Sequence, residues 1–185
     1  AMSTKLNKQR TPVDIAIPVL DTYSNGEPDY MLGKRHVGRH DCYIIRNGTG
    51  TPEKLLQLLF VVAHLSARDA ARINIISGYY PQGRSDKDEG SKRFALTRMY
   101  MDMLMGASHG RLRKIICADP HSEGITTAGR SGIVTPINYT RVLLRSAIER
   151  AQVHNLPICL AFPDGSAQKR FREAMKAISE EMGIN

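Results

Sequence analysis

The chain has 185 residues, 42% of them hydrophobic and 24% charged, which is the composition of a globular protein and excludes a disordered one. Its formal net charge of +8 points to anionic partners, either nucleic acid or phosphorylated small molecules. With no tryptophan and 6% aromatics, stacking platforms for nucleic acid are scarce, and the cations are spread along the chain instead of forming one arm. The longest apolar run, 55–63, is broken by Gln57, so no membrane span is expected. The polar N-terminus lacks the apolar region of a secretion signal, and the expected location is the cytoplasm. Cys42, Cys117 and Cys159 form no CxxC pair and each lies in an apolar stretch. They read as three reduced core thiols, without zinc.

Residues 1–12 are polar and read as a loose N-terminus, with Ala1-Met2-Ser3 a tag remnant. Val13–Leu20 and Asp41–Arg46 read as strands. Thr51-Pro52-Glu53 is a helix start, with proline at the first helical position. That helix is expected to reach about Ala70, with Leu55, Leu58, Leu59 and Val62 on one face. Arg72–Tyr80 follows as a strand, 81–91 as a polar loop, and Lys92–Ala107 as a helix with Met99, Met103 and Leu104 in the core. Lys114–Ala118 is a strand that runs into Asp119-Pro120-His121-Ser122, and 123–135 is a Gly/Thr/Ser loop. Pro136–Gln152 reads as a helix and Leu156–Phe162 as a strand. The turn Pro163-Asp164-Gly165-Ser166 then opens a helix to about Met182.

Strands and helices alternating at this spacing predict an α/β fold, a parallel sheet flanked by helices. Ligands in such sheets bind at the carboxyl ends of the strands. The polar clusters at 81–91, 119–123 and 163–167 each follow an expected strand, so the site is sought there.

The first cluster, 83–93, carries four cations (Arg84, Lys87, Lys92, Arg93) and three carboxylates (Asp86, Asp88, Glu89). Arginine pairs bidentately with phosphate, and carboxylates hold Mg²⁺ directly or through water. A solvated, self-paired loop has the same composition. His121 beside Asp119 is a candidate base, metal ligand or phosphate donor, or a hydrogen-bonded structural histidine. The 163–166 turn offers backbone N–H groups to an anion, or is a plain cap with Ser166 or Asp164 as the capping residue. His36, His40, His64, His109 and His154 show no ligand spacing.

Together these motifs resemble the ribose-phosphate pyrophosphokinase (phosphoribosyl diphosphate synthetase) family. Tyr79-Tyr80-Pro81-Gln82-Gly83-Arg84-Ser85-Asp86-Lys87, with Ser91 and Arg93, is similar to the family's Tyr/Phe-Pro-Tyr-Ala-Arg-Gln-Asp-Lys segment, and Ala118-Asp119-Pro120-His121-Ser122 to its Asp-Leu-His-Ala segment. Tyr23-Ser24-Asn25-Gly26-Glu27, Val37–Ile45 and Phe162-Pro163-Asp164-Gly165 resemble its Phe-Ser-Asp-Gly-Glu loop, its Val-Arg-Gly strand and its Ser-Pro-Asp turn. Order and approximate spacing hold from about residue 13 to 182.

The resemblance implies a phosphoribosyltransferase-like fold and a transferase that moves diphosphate from Mg-ATP to the 1-hydroxyl of ribose 5-phosphate or a related ribosyl 5-phosphate. It implies that Tyr23, Asn25 and Glu27 meet the adenine of a neighbouring subunit's ATP, in a homo-oligomer. Arg84, Ser85 and Asp86 flank ATP, with Arg93 nearby. His121 touches the phosphates or their Mg²⁺, Asp164 lies on the ribose side, and both are the implied catalytic and metal-binding residues. Ser85 stands where the family has Gln, Asn25 where it has Asp, and Pro120 where it has an apolar residue; the 87–93 loop is about one residue longer.

Family members continue with a Lys/Arg catalytic loop and an Asp-Asp-x-x-x-Thr-Gly-Gly-Thr ribose-phosphate loop, and neither occurs in this sequence. The chain is expected to hold the ATP-side domain at 13–135, then a linking helix and the start of a second domain at 136–185. It is read as a truncated enzyme or as a short, non-catalytic, synthetase-associated regulatory subunit. A basic nucleic-acid-binding domain is a third reading, resting only on the charge.

Overall fold

The structure is a computed structural model that describes residues 13–33, 36–122, 124–127, 132–154, 157, 159, 161–162 and 164–183. Asp41–Arg46 (β3), Arg72–Ser77 (β4), Leu112–Ala118 (β5) and Val134–Ile137 (β6) form a parallel sheet in the order β3-β4-β5-β6. Ile/Val-rich runs of this kind suit buried parallel strands. Their crossovers carry Pro52–Ala67 (α1), Leu96–Ser108 (α2) and the short Gly124–Thr127 (α3). Thr140–Val153 (α4) and Gly165–Met182 (α5) follow and pack on each other. Glu181 there receives both Arg141, at 2.8 Å, and Arg145.

α1 and α2 pack together against one face of the sheet. The core between them holds Leu58, Val62 and Leu65 of α1, Tyr100, Met101 and Leu104 of α2, and Ile73, Ile75, Leu112, Ile115 and Cys117 of the strands. Each fully buried aliphatic side chain of this set contributes about 1.5–3 kcal/mol. On the opposite face Tyr43 and Ile45 stand exposed, as strict alternation along β3 requires.

Val19–Thr22 (β1) and Pro28–Met31 (β2) form a separate antiparallel hairpin, with Val19 opposite Met31 and Thr22 opposite Pro28. The strand expected at 13–20 is thus corrected. Residues 13–18 have no regular structure, and pairing begins only after Pro18, which has no N–H to give a ladder.

Five further expectations are corrected. The helix expected from Lys92 begins at Leu96, because residues 89–93 are closed into a turn by Glu89 N–H to Arg93 O. Met99 and Met103 are 40% and 43% exposed, since the inward stripe of α2 is Thr97, Tyr100, Met101, Leu104 and Ser108. The loop expected at 123–135 contains α3 and the first residues of β6, and the helix expected from Pro136 begins at Thr140. Pro136 sits in β6 opposite Cys117, at the sheet edge where proline is tolerated, and Asn138 Oδ1 accepts the first helical N–H, that of Thr140. Cys117 is buried and Cys42 half-buried, but Cys159 is exposed. The strand expected at 156–162 falls partly outside the described residues, which omit 156, 158 and 160.

Among the described residues no helix is long and apolar enough to cross a membrane.

Candidate functional site

The carboxyl ends of β3 and β4 open into a cavity of about 230 Å³ lined by Gly50, Tyr79, Gln82, Arg84, Ser85 and Arg93. Gly50 comes from the loop after β3, and the other five from the segment between β4 and α2. The segment turns sharply after Pro81. Gln82 has φ +58°, a left-handed conformation that costs a non-glycine residue roughly 1–2 kcal/mol. Three hydrogen bonds offset that cost: Gln82 Nε2 donates to Gly50 O at 3.2 Å, while Gln82 O accepts Ser85 N–H at 2.9 Å and the Thr97 hydroxyl at 2.5 Å.

Gly83 is needed for close approach. A Cβ there would lie 2.8 Å from Ile125 Cδ1, 3.1 Å from Tyr80 O and 3.7 Å from the His121 Cβ. The turn thereby seats against α3 and the segment after β5. Ser85 lines the cavity and also serves α2: its hydroxyl donates to Phe94 O and accepts Leu96 N–H, both at 3.3 Å. Its carbonyl accepts Thr97 N–H at 3.1 Å. The N-cap of α2, Ala95, offers no side-chain cap, so Ser85 satisfies amides that helix starts leave open.

Arg84 and Arg93 bring two guanidinium groups to one cavity. Arg93 lies 3.7 Å from Glu89, an exposed pair of little energetic weight. Asp86 follows on the far side of the turn, next to Ser122 and Gly124. The Ser122 hydroxyl, and to a lesser degree the amide of Asp86, Lys87 and His121, hold its carboxyl below the usual range.

Of the residues expected from sequence, Arg84, Ser85 and Arg93 share the cavity, with Asp86 and His121 beside the same turn. Tyr23, Asn25 and Glu27 share the β1–β2 turn and do not line the cavity. There, Asn25 Oδ1 accepts Glu27 N–H at 3.1 Å, and the Asp29 carboxylate raises the Tyr23 phenol. Asp164 caps α5, its Oδ1 accepting Ala167 N–H at 2.7 Å. Gly50, Tyr79 and Gln82 also line the cavity; Tyr79 and Gln82 belong to the Tyr79–Lys87 motif, and only a Gly/Thr-rich loop after a strand marks Gly50. Among the described residues, no three His, Cys, Asp or Glu side chains converge to hold a metal ion by themselves.

A family model for the N-terminal domain of ribose phosphate pyrophosphokinase matches residues 4–108, more than half of the chain. The chain belongs to the ribose-phosphate pyrophosphokinase family. The match includes the β1–β2 turn and every cavity residue, and stops short of His121 and Asp164. The chain is 26% identical over 148 residues to a ribose-phosphate pyrophosphokinase of Corynebacterium glutamicum, covering 80% of this chain and 43% of that one. It is 28% identical over 152 residues to ribose-phosphate pyrophosphokinase 2 of Schizosaccharomyces pombe, covering 80% and 45%. The crystal structure of phosphoribosylpyrophosphate synthetase from Mycobacterium smegmatis superimposes with a TM-score of 0.67 at 20% identity, covering 80% of this chain and 47% of that one. The phosphoribosyltransferase-like fold of that structure is therefore the fold of this chain. The chain spans less than half the length of these relatives.

Proposed function

We propose that this chain is the ATP-side part of a ribose-phosphate pyrophosphokinase, which transfers diphosphate from Mg-ATP to the 1-hydroxyl of ribose 5-phosphate or a related ribosyl 5-phosphate. The observation that carries the reading is the pairing of Arg84 and Arg93 in one cavity at the carboxyl end of a parallel sheet, within the family match. In the transfer, the acceptor's 1-hydroxyl oxygen bonds to the β-phosphorus and loses its proton. The bond from the β-phosphorus to the oxygen bridging to the α-phosphorus breaks, and AMP leaves with that oxygen. Such a reaction asks for positioning and charge neutralisation more than covalent chemistry. The two arginines are proposed to supply donors for phosphate oxygens, and His121, whose Cβ lies beside the Gly83 turn, is proposed to add one from the β5 side.

Mg²⁺ at nucleotide sites usually takes one or two protein groups, with phosphate and water completing its shell. His121 and Asp164 are the proposed protein contacts; one oxygen of Asp164 is engaged as the α5 cap. The ion would neutralise phosphate charge. Tyr23, Asn25 and Glu27, exposed on a hairpin turn that does not line the cavity, suit the proposal that they serve the adenine site of a neighbouring copy. The boundary expected after 135 moves to the end of β6, because Pro136 and Ile137 still pair with β5; we assign 13–137 to the ATP-side domain and 138–185 to a linking helix and the start of a second domain, which the mutual packing of α4 and α5 supports.

The test is to incubate the full-length natural protein with Mg-ATP and ribose 5-phosphate, following AMP and the 1-diphosphate product by phosphorus NMR. Equimolar AMP and diphosphorylated sugar are expected, from ribose 5-phosphate or another ribosyl 5-phosphate in the panel. Bound ATP with no turnover on any acceptor would favour a non-catalytic regulatory subunit instead.

A further inference from the structure

We propose that Thr97, a buried residue of α2 outside the cavity, is a positioning residue that sets Arg84 for phosphate binding; this rests on the reading of the cavity as an ATP site. Thr97 is 1% exposed and does not line the cavity. Its hydroxyl donates to Gln82 O at 2.5 Å, and its amide donates to Ser85 O at 3.1 Å. One residue of α2 thus grips both ends of the tetrad Gln82-Gly83-Arg84-Ser85.

The tetrad needs such a grip. Gln82 is left-handed at φ +58°, and a glutamine has no intrinsic reason to stay there. Strained backbone of this kind persists only where its surroundings over-determine it. Gly83 is wedged against Ile125, so the turn cannot relax inward. Arg84 sits between the two gripped residues, and its own side chain is exposed. The direction in which its guanidinium enters the cavity therefore depends on backbone that Thr97 holds. Phosphate recognition by a planar fork is sensitive to such direction. A threonine buried near a helix start also has a bland explanation, a filled core position. The two explanations differ in what the hydroxyl does for the ligand.

Three variants separate them. Thr97→Val keeps the shape and removes the hydroxyl, Thr97→Ser keeps the hydroxyl, and Thr97→Ala removes hydroxyl and methyl. Two readouts are taken on the intact chain well below its melting temperature: hydrogen exchange of the 80–88 peptide without ligand, and Mg-ATP affinity by calorimetry. Loss of one hydrogen bond of this kind corresponds to about a three- to tenfold change. Thr97→Val is expected to speed exchange in 80–88 and to weaken Mg-ATP binding by about that factor, with Thr97→Ser close to the parent in both. If Thr97→Val fails to fold, the comparison of Thr97→Ser with Thr97→Ala carries the same contrast. Parental exchange in the hydroxyl-free variants overturns the proposal, whatever ATP does. Faster exchange with unchanged ATP affinity overturns it too. Faster exchange in Thr97→Val, beside a parent that itself binds no Mg-ATP, leaves the grip on the turn standing but overturns the role toward Arg84 and the ATP reading together.

Discussion

Replacing Gly83 by alanine tests whether the cavity turn is seated as described. The added Cβ would lie 2.8 Å from Ile125 Cδ1 and 3.1 Å from Tyr80 O. Real Cβ contacts are not that short, so something must move. Ile125 is fully buried, which limits how far its side-chain end can swing. Tyr80 O is backbone and already accepts Gly83 N–H at 3.2 Å. Overpacking of this kind costs about 1–3 kcal/mol. For a chain of this size that corresponds to a fall in melting temperature of roughly 2–12 °C. Thermal unfolding by circular dichroism, with a urea titration as a check on two-state behaviour, measures it. Because the strain lies in the turn that carries Arg84, nucleotide affinity should fall as well. An alanine variant that melts with the parent would refute the close packing of Gly83 on Ile125, and with it the placement of the turn against α3.

Three further outcomes are expected. Asp164→Ala removes the side-chain cap of α5 and should cost about 1 kcal/mol, visible as lost helicity on mild heating; an unchanged signal would mean the cap bond is not formed in solution. The Asp86 carboxyl is lowered by its neighbours, so the stability it contributes is present above the ordinary carboxylate range and is lost as pH falls through the lowered value. The stability gap between parent and Asp86→Asn should therefore be constant near neutrality and close on acidification; a gap that widens on acidification has the wrong sign. Thiol titration with a disulfide reagent at pH 8 should find Cys159 reacting first. Cys117, buried and pushed up to about 11, should react only on unfolding.

The sequence was most legible where local chemistry and tertiary setting agree. Asp41–Arg46 has the same bounds in sequence and structure, because its Tyr-Ile-Ile run favours an extended strand and its alternating exposure suits the sheet edge where it lies. The start of α1 was equally plain, with proline at its first helical position. Misreadings came where a polar or irregular residue serves a tertiary need. The inward stripe of α2 includes Thr97 and Ser108, whose hydroxyls donate to Gln82 O and Met105 O, so hydrophobicity alone favoured Met99 and Met103 instead. Pro136 hid β6, since a proline is admissible in a strand only when the strand is an edge, and edges are a property of the assembled sheet. At the site, charge and motif were enough to single out Arg84, Ser85 and Arg93. The partners that shape the cavity were not visible in the same way: Gly50 arrives from another crossover, and Thr97 acts through backbone carbonyls that carry no residue signature.

The central claim is that Arg84 and Arg93 bind the phosphates of a nucleoside triphosphate. The direct measurement is a calorimetric titration of this chain with Mg-ATP, run beside Arg84→Ala and Arg93→Ala. Saturable binding that both substitutions weaken is the expected result. Binding that neither substitution alters would contradict the account, because the nucleotide would then lie elsewhere on the molecule.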